Sequence, residues 1–348
     1  MDVSRHIGSL LILGFPGPVL GQEMEICRDI VDFNLGGVIL FNRCLHTPAQ
    51  PANIISPTQL KELCSSLQKL ADTTLLIGVD QEGGKVRRLR PEAGFADSCS
   101  ARQLGITGER TSLTNIEAET TAAMLAMVGI NCNFAPVVDL LSNPSNPVIG
   151  GIDRSFSEDP MVVARHAAVW IEAHRDKGVL SCIKHFPGHG SSAADSHLGF
   201  VDVSDSWQPL ELEPYRLLLG EDRVDLVMTG HLFNRQLDPD HPATLSAAII
   251  DGLLRSDLGY EGVVVSDDMQ MKAITDHYSF EEAVCRSLAA GVDMLVFGNN
   301  LDYGRDICPR AIRAIENGLD SGTLSETRLR EALGRVEHLK QRLGKNHD

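Results

Sequence analysis

Eight short apolar runs punctuate the chain: SLLIL (9–13), GGVILF (36–41), LLIGVD (75–80), GINCNFAP (129–136), GVLSCIKHF (178–186), VDLVMTGH (224–231), GVVVSDD (262–268) and GVDMLVFG (291–298). Most are continuous rather than alternating, the pattern of strands buried on both faces of a parallel sheet. Amphipathic stretches separate them. TQLKELCSSLQKL follows Pro57, a good helix start, and NIEAETTAAMLAMVG, EDPMVVARHAAVWIEAHRDKG and FEEAVCRSLAAG each run into a glycine, the usual residue just past a helix end. Strand alternating with helix about eight times predicts an α/β fold, a single (β/α)8 barrel with its active site at the C-terminal strand ends. An open, doubly wound sheet is the alternative; no GxGxxG follows an early strand, which weighs against it. The first strand is expected at Ser9–Leu13. No low-complexity linker divides the chain, so one domain over 1–348 is expected, with a C-terminal helix over about 320–345 packed on the barrel.

The formal net charge is −16. Nucleic-acid and anionic-membrane surfaces need clustered Lys and Arg, so neither partner is expected. The eight cysteines are scattered without a CxxC pair, several inside apolar runs. That distribution suits reduced, buried thiols in a cytoplasmic protein better than a disulfide framework or zinc site. The N-terminal apolar run is short, broken by Gly and Pro, and preceded by Asp2, unlike a signal peptide. No segment approaches membrane-spanning length.

On the barrel reading, the strand ends carry Asp80-Gln81-Glu82, Asp139, Lys184-His185, His231 and Asp267-Asp268. Any one of these suits a turn; their convergence on one face points to an enzyme. Side chains alternate along a strand, so one of Asp267 and Asp268 is expected at the mouth and the other in a structural hydrogen bond. Two glycines in DQEGGKVRRLR (80–90) permit a tight loop, but the phosphate-loop pattern GxxxxGK[ST] is absent. Its Lys and Arg residues are either a solvated face or a grip on hydroxyl and carbonyl groups. In GGIDRSFSEDP (150–160), Ser157, Glu158 and Asp159 read as an N-cap and acidic first turn, which leaves Arg154 without a local structural reason.

The stretch KHFPGHGSSAADSH (184–197) holds three histidines. His185 and His189 have the i, i+4 spacing of zinc helices, but Pro187 and Gly188 between them prevent a regular helix, and no HExxH is present. No metal is expected. Asp195 lies two residues from His197, close enough to orient its imidazole and raise its basicity. The competing readings are an Asx-type turn with a surface histidine and, less economically, a metal-dependent hydrolase.

Taken together, KHFPGHG followed by DSH, with DQEGG upstream and SDD-x-x-M downstream, resembles the bacterial β-N-acetylglucosaminidases of glycoside hydrolase family 3. GGVILFNRCLHTPAQ, NFAPVVDL, DRSFSEDP and HPATLS fit the same pattern in order, and the resemblance runs from about residue 8 to about 335. It implies a (β/α)8 barrel and a retaining exo-β-N-acetylglucosaminidase. Asp267 would be the nucleophile and His197 the general acid/base, paired with Asp195. Asp80, Arg88, Arg154, Lys184 and His185 would bind the N-acetylglucosamine ring. No cofactor is implied. The implied substrates are cytoplasmic peptidoglycan fragments, N-acetylglucosamine linked to anhydro-N-acetylmuramic acid. Chitooligosaccharides, or phosphate in place of water as acceptor, are the alternatives. The expected partner is a small carbohydrate, with the chain a monomer or weak oligomer. The sequence departs from the family pattern at Lys85, Met269 and Ser191-Ser192, none of them a proposed catalytic group.

Overall fold

The computed structural model describes residues 3–21, 24–195, 199–221 and 223–344. Among them, eight parallel strands close into a barrel: β1 (Leu11–Gly14), β2 (Gly37–Ile39), β3 (Leu76–Val79), β4 (Cys132–Asn133), β5 (Leu180–Phe186), β6 (Leu226–Thr229), β7 (Val263–Asp268) and β8 (Met294–Phe297). Each strand pairs with its neighbours in sequence, and β8 returns to β1, Leu11 lying opposite Leu295. Each apolar run read from the sequence holds one strand, β1 running one residue past its run to Gly14. The strands are buried along their whole length except at Asp267 and Asp268, the half-exposed end of β7. Helices cover the outside, so both faces of each strand meet apolar neighbours and period-two alternation disappears.

The expected helices form where their punctuation places them. Pro57–Leu70 is capped by Ser56, whose side chain accepts from the Gln59 N–H at 3.3 Å. Ser112–Val128 and Phe280–Ala290 end at Gly129 and Gly291, both left-handed (φ 84° and 114°). Two local readings change. β1 begins at Leu11 rather than Ser9, because Val3–Leu10 coils into 3₁₀ turns that bury Val3, Ile7 and Leu10. Their spacing of three to four residues suits a helical stripe better than a strand. Helix Pro160–Asp176 is capped by Asp159, not Ser157: the Asp159 carboxylate accepts from the Met161 N–H at 2.9 Å, while Ser157 Oγ accepts from the Asp159 N–H at 3.1 Å.

The two ends of the barrel differ in chemistry. At the N-terminal end, helix Glu326–Gly344 is tied down by buried carboxylates. Asp293 pairs with Arg255 (2.6 Å), Arg328 (2.8 Å) and Arg335 (3.2 Å). Asp225 pairs with Arg342 (2.6 Å) and Arg175 (3.4 Å). At the C-terminal end, β3 runs directly into a two-stranded antiparallel ribbon, Gln81–Gly83 with Val86–Arg87, and β5 carries Lys184 and His185 into the mouth.

Candidate active site

The mouth holds a solvent-open cavity of about 140 Å³ whose lining includes Asp80, Arg88, Asp267, Asp268, Phe41 and Leu301. β3, β7 and the β8 exit supply its acidic and apolar parts. Asp268 takes the structural share of the SDD motif. Its Oδ1 accepts from the N–H groups of Gly298 and Gln270, both at 3.0 Å, which ties β7 to the β8 exit. His231 sits behind β7. A carbonyl can only accept, so His231 Nε2 carries a proton and donates to the Asp268 carbonyl at 2.9 Å, while Nδ1 meets Thr244 Oγ1 at 2.8 Å. Asp267 lines the cavity, one of its oxygens accepting from the Asp268 N–H at 2.8 Å.

From Asp80 a chain of alternating charge runs across the barrel end. Arg88 and Lys184 both reach the Asp80 carboxylate, at 3.0 and 2.8 Å. Lys184 also meets Glu82 at 2.8 Å. Arg154 forks onto Glu82 through Nε (2.7 Å) and Nη2 (2.8 Å), and Nη2 lies 3.2 Å from His185 Nε2. A guanidinium only donates, so His185 Nε2 accepts and its ring proton sits on Nδ1, 2.7 Å from Asp139. The Arg88 guanidinium lies over the Phe41 ring, 5.7 Å from its centroid.

Burial by itself would raise the carboxyl groups in this chain, but the adjacent cations outweigh it. Lys184 and Arg88 hold Asp80 well below the ordinary carboxylate range, and Arg154 with Lys184 lowers Glu82 to about 2. In return, Asp80 and Glu82 overcome the burial of Lys184 and raise its ammonium. Asp80, Glu82 and Lys184 are therefore ionised at neutral pH and form a fixed set of donors and acceptors beside the cavity.

The sequence-derived site residues therefore fall into three groups. Asp80, Arg88 and Asp267 line the cavity. Lys184 and His185 are buried and Arg154 is partly buried; they reach it through Asp80 and Glu82. Asp195 lies on the segment after β5, and His197 lies outside the described residues. Arg154 does have a structural partner, Glu82, 72 positions away in sequence. Glu82 and Asp139 stand among the strand-end acids, yet nothing in the sequence pairs them with Arg154 and His185. His189 is buried and structural: its Nδ1 meets Ser192 Oγ at 2.7 Å, its N–H donates to Asp139 at 2.8 Å, and burial lowers its imidazole to about 4. Among the described residues, no group of three His, Cys, Asp or Glu side chains is arranged to hold a metal ion.

The pattern described as the glycosyl hydrolase family 3 N terminal domain matches residues 4–339. The chain belongs to glycosyl hydrolase family 3. Within the family, it is 36% identical over 336 residues to a beta-hexosaminidase of Alkalilimnicola ehrlichii, covering 93% of this chain and 88% of that one. It is 33% identical over 343 residues to beta-hexosaminidase A of Pseudoalteromonas piscicida, covering 92% of this chain but only 55% of that protein. The chain thus spans about half the length of that relative. The family 3 β-N-acetylglucosaminidase structure from a Paenibacillus species superposes with a TM-score of 0.90 at 34% identity, over 100% of this chain and 64% of that one. A β-N-acetylhexosaminidase structure from Beutenbergia cavernae gives 0.84 at 27% identity, over 98% and 99%. Both structures share the fold described above. Among the described residues, no helix is long and apolar enough to cross a membrane.

Proposed function

We propose that this protein is a retaining exo-β-N-acetylglucosaminidase that removes terminal N-acetylglucosamine by way of a covalent intermediate on Asp267. The observation that carries the reading is the cavity at the C-terminal strand ends, with the Asp267 carboxylate on one wall and the Asp80–Arg88 pair on another. The names of the related hexosaminidases support the sugar assigned to it.

A retaining glycosidase needs a nucleophile on one side of the anomeric carbon and a proton donor on the other. Asp267 attacks as the glycosidic bond breaks, and His197 gives its proton to the leaving oxygen. His197 then takes a proton from the water that releases the sugar. An imidazole suits both steps because its pKa lies near neutrality. It is neutral after giving up its proton, so it does not repel Asp267 or an acidic leaving group. Asp195 holds its tautomer and favours the imidazolium when it forms. Asp80, Arg88 and Lys184 grip the sugar's hydroxyl and acetamido groups. Arg154 and His185 brace that grip through Glu82 and so fix the orientation of the reacting ring.

The natural substrate is a peptidoglycan fragment with a β-linked anhydro-N-acetylmuramic acid leaving group, acted on in the cytoplasm. The cysteines are unpaired, in keeping with a reducing compartment. Asp267→Ala is expected to abolish turnover of 4-nitrophenyl N-acetyl-β-glucosaminide, a loss on the order of a thousandfold or more. Full activity in that variant would remove the nucleophile assignment. Comparing kcat/KM on chitobiose with that on the muropeptide disaccharide tests the leaving group. Product analysis in phosphate buffer distinguishes hydrolysis (free sugar) from phosphorolysis (sugar 1-phosphate).

A further inference from the structure

We propose that Glu211 is a positioning residue for this reaction, fixing the point at which the segment bearing Asp195 and His197 leaves the barrel. The proposal rests on the acid/base assignment made above. Glu211 lies in the 3₁₀ turn Pro209–Leu212, beyond that segment, and its side chain reaches back to the segment's start. Its Oε2 accepts from the Gly190 N–H at 2.9 Å, and only 1% of the residue is exposed.

Gly190 is held on its other sides as well. Its carbonyl accepts from the Asn143 N–H at 3.1 Å and Asn146 Nδ2 at 3.2 Å. A Cβ on Gly190 would fall 2.0 Å from the Leu140 carbonyl oxygen, so the peptide lies flush against the main chain after Asp139. Trp207 Nε1 donates to the Pro187 carbonyl at 3.1 Å. The chain before the segment and the chain after it are thus joined at two points, Pro187 to Trp207 and Gly190 to Glu211. Asp195 follows Gly190 by only five residues, so this peptide sets where the stretch leading to the proposed acid/base pair begins.

The chemistry of Glu211 agrees with a geometric role. It has no ion-pair partner among the described residues. Burial, with Asp139 adding to it, pushes its carboxyl up to about 7 against the pull of the Ser191 and Gly190 donors. A carboxyl buried without a cation costs stability that an apolar side chain would not. What it supplies in exchange is a directed acceptor at the start of the segment, where the Gly190 N–H meets it.

The test exploits leaving-group ability. A 2,4-dinitrophenyl leaving group departs with little proton assistance, whereas the sugar alkoxide of chitobiose needs it. For Glu211→Ala, kcat/KM is expected to fall at least roughly tenfold on chitobiose and less than about threefold on 2,4-dinitrophenyl N-acetyl-β-glucosaminide. Glu211→Gln keeps an acceptor oxygen and is expected to restore chitobiose cleavage to within about threefold of the parent. If Glu211→Ala does not fold, Glu211→Asp, one methylene short of Gly190, is read by the same substrate ratio. His197→Ala is measured alongside. If His197→Ala selectively loses chitobiose while the Glu211 variants lose both substrates equally or neither, the positioning role is overturned and the enzyme assignment stands. If His197→Ala shows no selectivity either, the acid/base assignment falls and the positioning role falls with it.

Discussion

Glu82 offers the sharpest check on the electrostatics of the mouth. Its two oxygens serve two cations, at 2.7 and 2.8 Å to Arg154 and 2.8 Å to Lys184, and only 5% of its side chain is exposed. Glu82→Gln keeps the volume, removes the charge and turns an amide NH₂ toward donors that cannot accept from it. Holding the carboxyl at about 2 instead of its ordinary 4.5 corresponds to roughly 3 kcal/mol at about 1.4 kcal/mol per pKa unit. The same magnitude is expected from breaking a buried ion pair on one side, about 3–5 kcal/mol. The sign follows from the lowered folded-state value. The stabilisation is fully present above pH 4.5 and is lost as pH falls through about 2. Urea denaturation of both proteins is expected to show a stability difference of about 3 kcal/mol that is flat from pH 5.5 to 8. At pH 3.5 it should shrink to roughly 60% of that value. A difference below about 1 kcal/mol at pH 7, or one unchanged at pH 3.5, would refute the claim that Glu82 is held ionised by Arg154 and Lys184.

Two further outcomes follow from the division between the barrel ends. Asp293→Asn removes the buried charge shared by Arg255, Arg328 and Arg335 and is expected to cost about 3–5 kcal/mol in the same denaturation assay. KM for the nitrophenyl substrate should stay unchanged, because this cluster lies at the end of the barrel away from the cavity; a raised KM in a folded variant would contradict that separation. Prolonged dialysis against EDTA is expected to leave kcat/KM within about twofold of the untreated enzyme, whereas loss restored by zinc would favour a metal-dependent hydrolase.

Much of the architecture was legible in the sequence because burial on two faces leaves a one-dimensional trace. The runs LLIGV and GVVV have no polar alternation, and the β3 and β7 residues within them are buried. Strand geometry predicts a division between Asp267 and Asp268 that is only partial in the structure: both line the cavity, and Asp268 in addition accepts from the Gln270 and Gly298 N–H groups. The start of β1 differs from the sequence expectation because SLLIL suits a strand or a helical turn equally over so short a stretch. What settles it is that Ile7 and Leu10 are buried within the core.

The pairings in the site could not be read in this way. Glu82 and Arg154 are 72 positions apart, Asp139 and His185 are 46 apart, and Lys184 reaches Asp80 across 104. Nothing local to any of these residues indicates its partner, since each contact exists only because the barrel closes. Glu211 is the extreme case: it belongs to no motif singled out in the sequence, and only the return of the chain past Trp207 buries its side chain against Gly190. Hydrophobic periodicity and glycine placement, which act over a few residues, determined the barrel, its helices and which end carries the polar groups. Tertiary closure decided which charges neutralise one another, which carboxylates face the cavity, and which are committed to holding it in shape. Coulombic and hydrogen-bond partners are selected by distance in space, and that distance is fixed only once the eighth strand has paired with the first.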